Sequence, residues 1–199
     1  MHILLKKGFT LAEIMITLSI VTVIMTTVLF SYSVFSDKLA LSSAAQEIAI
    51  TIRQAQTYGL TVREAAVAGG NFNSAYGVYF DIGSDQTHYY LFVDTNSNSK
   101  YDVGNGCGSA STECVQQGTI RSNVLMTNVC DGSACPPVVN VKKMNVTFLR
   151  PNPDATIIFT DSSGNTLAGP SSTGKVVLTS PKGNTSTITI ESTGQVNVQ

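Results

Sequence analysis

Phe9 to Phe30 reads FTLAEIMITLSIVTVIMTTVLF, and this stretch decides how the rest of the chain is read. It holds 22 residues with one charge, Glu13, and neither Gly nor Pro. As an α-helix it is about 33 Å long, enough to cross a hydrocarbon core of about 30 Å. Its six Ser and Thr residues lower the apolarity, but each hydroxyl can bond a carbonyl one turn back. Lys6 and Lys7 precede the run, so the positive-inside rule leaves the short N-terminus in the cytoplasm and the C-terminal bulk outside. A cleaved secretory signal needs a shorter apolar core followed by a small-residue cleavage site. The continuation Ser31-Tyr32-Ser33-Val34-Phe35-Ser36 offers no such site. A plain anchor fits the length but leaves Glu13 unexplained, because a carboxylate inside a membrane helix costs a few kcal/mol and usually has a partner or a role.

Just before and into this run stands Lys6-Lys7-Gly8-Phe9-Thr10-Leu11-Ala12-Glu13. It resembles the class III leader of bacterial type IV pilins and type II secretion pseudopilins: a short basic leader, a Gly, then Phe-Thr-Leu-x-Glu opening an apolar helix. The resemblance implies that a prepilin peptidase cuts between Gly8 and Phe9 and that Phe9 becomes an N-methylated terminus. It implies that Glu13 compensates such a terminal amine, commonly that of a neighbouring subunit, so that subunits enter a helical filament in register. The partners implied are the peptidase, other pilins or pseudopilins and an inner-membrane assembly platform. The implied location is a single-pass inner-membrane protein with its head outside the cytoplasm, later a cell-surface pilus or a periplasmic pseudopilus.

Working outward, no Gly lies between Gly8 and Gly59 and no Pro precedes Pro136, so one continuous helix can run about 75 Å. In its second half Leu41, Ala45, Ile48, Ile52 and Ala55 recur at spacings of four and three, an apolar stripe suited to packing on a sheet. Beyond Gly59 the pattern becomes strand-like. Candidates are Tyr76–Phe80, His88–Val93, Val115–Arg121, Val138–Phe148, Thr156–Phe159, Lys175–Thr179, Ser186–Glu191 and Gln195–Val198, separated by Gly-, Pro- and Asn-rich turns. The expected organisation is a leader over 1–8, a membrane and filament-core helix over 9–30, an amphipathic helix over 31–66 and a β-rich head over 67–199. This is an α+β chain with a long N-terminal helix packed on an antiparallel head. The segment Ile52-Arg53-Gln54-Ala55-Gln56-Thr57-Tyr58-Gly59, followed by Tyr76-Gly77-Val78-Tyr79-Phe80, is similar to the GspH/FimT-type branch of minor pilins and pseudopilins. That branch implies a structural, non-enzymatic subunit.

Composition narrows the function classes further. The chain has 199 residues, 43% apolar and 13% charged, with a formal net charge of −1. Wholesale disorder requires low hydrophobicity with high net charge, and this composition has neither. Removing the leader leaves 10 basic and 13 acidic residues. The bases of the C-terminal half, Arg121, Lys142, Lys143, Arg150, Lys175 and Lys182, are scattered apart from one pair. Nucleic-acid binding needs clustered Lys and Arg to displace counterions, so a DNA-binding subunit of a natural-transformation filament is the weaker alternative. The two histidines, His2 and His88, are far apart, which leaves no imidazole pair for metal or catalysis. The Ser and Thr residues therefore have no imidazole to activate them, and nothing resembles a nucleotide-binding loop.

Two features of the head need separate treatment. Asp94, Asn96, Asn98 and Asp102 stand at the first, third, fifth and ninth positions of a calcium-type loop, with Lys100 offering a carbonyl at the seventh. The sixth position is Ser99 instead of Gly, and the twelfth is Asn105 instead of Glu. The same residues also form ordinary solvated turns, so weak Ca2+ binding, as in a calcium-dependent adhesin, and a plain turn both stay open. The four cysteines, Cys107, Cys114, Cys130 and Cys135, lie within 29 residues without C-x-x-C spacing. They read as two disulfides of an extracytoplasmic domain, with reduced cytosolic thiols as the alternative. Three connectivities exist, and the short Gly- or Ser-containing segments favour sequential pairing.

Overall fold

A computed structural model describes residues 8–61, 73–102, 104, 107, 113–132, 135 and 141–199. One α-helix, α1, spans Leu11–Leu60. Thr10 caps it in extended conformation, its hydroxyl accepting from the Glu13 N–H at 3.3 Å. In the apolar first half the hydroxyls turn inward onto the helix: Ser19 Oγ donates to the Met15 carbonyl at 2.8 Å and Thr22 Oγ1 to that of Leu18 at 2.7 Å. These bonds satisfy the hydroxyls on an otherwise apolar surface.

The helix closes where its backbone meets the head. A Cβ on Gly59 would stand 2.3 Å from the Phe148 carbonyl oxygen, so only glycine permits this approach. The Arg150 N–H then donates to the Gly59 carbonyl at 3.2 Å, and Thr61 leaves the helix in extended conformation. Composition predicts an amphipathic segment to residue 66; α1 ends at Leu60, and 62–66 lie outside the described residues.

Among the described residues ten strands form two antiparallel sheets: β1 (Ala75–Asp81), β2 (Asp85–Asp94), β3 (Cys114–Thr119), β4 (Leu125–Asp131), β5 (Lys143–Phe148), β6 (Ala155–Thr160), β7 (Thr166–Ala168), β8 (Thr173–Thr179), β9 (Thr185–Glu191) and β10 (Val196–Val198). The larger sheet has the order β3-β2-β1-β5-β6-β7, the smaller β10-β9-β8-β4. The second half of α1 lies against strands of both. The expected stripe is buried: Leu41, Ala45, Ile48, Ile52 and Ala55, joined by Ala44 and Ala49. It meets Val78, Phe80, Met144, Val146 and Phe148 of one sheet and Val176, Leu178, Ile188 and Ile190 of the other in a single core. The α+β architecture expected from the sequence is thus the observed one.

Two strands differ from the pattern reading. β4 escapes a period-two search because its register against β8 shifts between Met126 and Asn128. Across that bulge Met126, Val129 and Cys130 are all buried, a spacing no strict alternation produces. β7, at three residues, is too short to leave a periodic signal. At the other end of the range, β5 begins at Lys143, later than the expected Val138, and 138–140 lie outside the described residues.

Candidate functional site

The N-terminal end of α1 concentrates the chemistry the sequence points to. Gly8, Phe9 and Thr10 are non-helical and exposed, with Phe9 80% exposed. The Gly8–Phe9 bond therefore sits in a non-helical, accessible segment immediately ahead of the helix. Nothing lies within 4 Å of where a Gly8 Cβ would be. Glu13 falls in the first turn of α1, and a carboxylate there is favoured by the partial positive charge of unsatisfied N–H groups. Thr10-x-x-Glu13 is also the sequence form of a helix capping box, a signal legible in the chain that the apolar run overshadows.

The flank of this helix is unpartnered in the isolated chain. Ile14, Met15, Leu18, Val21, Met25 and Leu29 are all exposed, each by nearly half its area or more. The helix contains an 18-residue window of mean hydropathy 2.2, none of it buried within the protein, so it is long and apolar enough to cross a membrane. An apolar surface of this size on a monomer marks a lipid or protein interface.

Residues 4–29 match the family described as the prokaryotic N-terminal methylation motif. The chain therefore has the prepilin-type motif that marks the type IV pilin and pseudopilin superfamily. More closely, the motif and the apolar helix fit a membrane-anchored, pilin-like or pseudopilin subunit with its head outside the cytoplasm. No curated protein and no solved structure matches the chain.

The loop after β2 is built by carboxylates. Asp94 is 2% exposed; one of its oxygens accepts from the Asn98 N–H at 3.1 Å and the other from the Ser99 N–H at 2.7 Å. Asn96 Oδ1 accepts from the Asn98 N–H, and Asn98 Oδ1 from the Lys100 N–H. Asp102 Oδ2 accepts from both asparagine amides. The five expected positions are thus gathered in one loop, with Ser97 and Ser99 at φ 62° and 58°. Sequence reasoning missed Glu113, which is buried and closes the loop from outside. Its Oε1 accepts from the Thr95 N–H and hydroxyl, and its Oε2 from the Asp102 N–H at 2.9 Å. No spacing rule links Glu113 to Asp94, nineteen residues earlier in the chain; the fold alone returns it. Among the described residues no group of three His, Cys, Asp or Glu side chains is placed to hold a metal.

Tyrosines pin this loop to the outer face of the larger sheet. The Tyr101 ring stacks on Tyr90 at 5.5 Å and packs against Tyr79 at 5.0 Å and Phe92 at 5.5 Å. The Tyr79 phenol donates to Asp81 Oδ2 at 3.0 Å, and burial first, then the Asp81 charge, push its pKa up, so it stays a neutral donor. His88 pairs with Asp85 at 2.8 Å on the same strand. Burial raises the Asp85 pKa, but the Thr87 and His88 hydrogen bonds outweigh it and leave the pKa lowered.

The disulfides are Cys107–Cys114 and Cys130–Cys135, with Cα separations of 4.6 and 5.5 Å. This is the sequential pairing. The first ties the segment beyond Asp102 to the start of β3, next to Glu113; the second ties the end of β4 to the following segment. Several basic side chains among the described residues are held singly: Lys143 stands 3.8 Å from Asp81, Arg150 donates to Asn73, and Lys182 bonds α1.

A second polar cluster, also absent from the sequence reading, joins head to helix. Asp37 Oδ2 accepts from Ser180 Oγ and Asn184 Nδ2, each at 2.7 Å. The Lys182 ammonium donates to the carbonyl and the hydroxyl of Ser33. Ser180 and Asn184 bound the turn between β8 and β9, so this turn is clasped to α1 at two successive turns of the helix.

Proposed function

We propose that the chain is a minor pilin or pseudopilin of the GspH/FimT type, a structural subunit joined to its filament through α1 after cleavage between Gly8 and Phe9. The observation that bears most weight is Glu13, set in the first turn of an otherwise apolar and unpartnered half-helix, one turn from the amine that cleavage creates at Phe9. Methylated or not, an ammonium at Phe9 is as costly to bury alone as the carboxylate of Glu13. Packing α1 helices side by side buries the exposed stripe. Staggering them so that one Phe9 amine meets a neighbour's Glu13 neutralises both charges and fixes the register. The other partners of this reading are the prepilin peptidase and an inner-membrane assembly platform.

Replacing Glu13 tests it. Removing one member of a buried ion pair leaves the other uncompensated, at a cost of about 3–5 kcal/mol. Glu13→Ala should be processed and membrane-inserted as the parent is, yet fail to enter filaments. Incorporation at the parental level contradicts the proposal.

A second reading concerns the Asp94 loop and is compatible with the first. Ser99 holds at the sixth position the left-handed backbone that calcium loops ordinarily assign to glycine. We infer weak Ca2+ binding through Asp94, Asn96, Asn98, the Lys100 carbonyl and Asp102, the amide oxygens turning from backbone donors toward the ion. Calorimetric titration of the full chain should give heat at submillimolar to millimolar calcium. The heat should vanish in Asp94→Ala, whereas a flat titration of the parent leaves the loop a turn alone.

A further inference from the structure

The clasp between α1 and the β8–β9 turn lies at a level that α1 itself measures. Ser33 stands three residues, about 4.5 Å along the axis, beyond the end of the apolar run at Phe30. A bilayer's headgroup layer adds roughly 5–8 Å outside the hydrocarbon on each side, so Ser33 falls within it. Tyr32, 67% exposed, supplies an amphipathic aromatic side chain that favours this depth. A turn bonded to Ser33 and Asp37 cannot stand clear of the membrane surface. Its Pro181, Lys182 and Gly183 are exposed, as is Lys38 on the adjoining face of α1. Lys182 has three donors; Ser33 takes two, and the third is available to an acceptor. Lys38 and Lys182 place two ammonium groups on this face, while the Asp37 carboxylate accepts from Ser180 and Asn184.

We propose that the β8–β9 turn is a membrane-contact surface, clasped to α1 so that Lys182 and Pro181 rest among the phosphate headgroups of the leaflet nearest the head. This rests on the reading of α1 as a membrane anchor. It has a consequence at the far end of the helix. Glu13 and Ser33 are twenty residues apart, about 30 Å, which is the thickness of the hydrocarbon core. A head seated on one surface therefore holds Glu13 about 4.5 Å inside the opposite edge of the hydrocarbon, shallow enough for its carboxylate to reach headgroup water until a filament partner replaces that water. The clasp acts as a depth stop.

The absence of Trp from the chain makes the test clean. Single-Trp variants of the full chain are reconstituted in phosphatidylglycerol vesicles containing headgroup spin-labelled lipid. Pro181→Trp and, as an independent reporter should that turn be disturbed, Thr185→Trp lie at the proposed contact. Thr193→Trp lies in the turn bonded through Gly194 to Gln56, about 28 Å farther along α1 than Asp37. The proposal expects most emission lost at 181 and 185 and retained at 193, and recovery of the 181 signal when Lys182→Glu is added. Equal, weak quenching at all three positions overturns it, as does quenching at 181 that ignores Lys182→Glu. A Leu18→Trp variant with acyl-brominated lipid separates the two levels. If Leu18→Trp is quenched while position 181 is not, the depth stop fails and the anchor stands; if Leu18→Trp is unquenched, both fail.

Discussion

At the scale of single residues, Asp37 has a definite pH signature. Hydrogen bonds from Ser180 and Asn184 to its carboxylate hold its pKa below the ordinary carboxylate value, with a lesser contribution from the Lys182 charge. A carboxylate whose pKa is depressed in the folded state stabilises that state above its unfolded pKa, about 3.9, and stops doing so as pH falls through the lower folded value. The Asn184 side-chain amide resonance should therefore be constant from pH 7 to 5 and shift only below about 4. A midpoint at or above 5 would show that the clasp is not formed as described. Glu113 illustrates what sequence cannot display at this scale. Its neighbours Ser111, Thr112 and Cys114 suggest a solvated loop, yet it is 5% exposed and accepts three hydrogen bonds. Only the return of β3 alongside β2 brings it to Thr95 and Asp102.

Elements show where pattern reading succeeds and where it fails. α1 was legible because every cue agreed: no breaker over fifty residues, a uniform apolar half, then an apolar stripe at spacings of three and four. β1, β2, β8 and β9 were legible because aromatic and β-branched residues stand between clear turns. β4 was not, because its bulge places buried residues out of alternation. The end of α1 depends on contact with another element, and this yields a stability prediction. Gly59→Ala drives a methyl group into the Phe148 carbonyl, a clash that cannot relax without moving α1 or β5. The expected cost is about 1–3 kcal/mol, and each kcal/mol lowers Tm by about 2–4 °C in a chain of this size. Thermal unfolding of the full chain in detergent measures it; an unchanged Tm would mean that helix and strand are not in this register.

For the whole molecule, the division of labour follows from which surfaces are covered. The second half of α1 is buried by two sheets, so the head is a unit built around it. The first half is bare, and it carries the matched family motif. The assembly chemistry proposed here needs only two of its groups: the carboxylate of Glu13, and an amine at Phe9 that does not exist until the leader is removed. That amine is the account's central claim. Mass spectrometry of the protein recovered from its native membrane tests it most directly: a product beginning at N-methylated Phe9 is predicted, and an unclipped chain still bearing Met1 would contradict it.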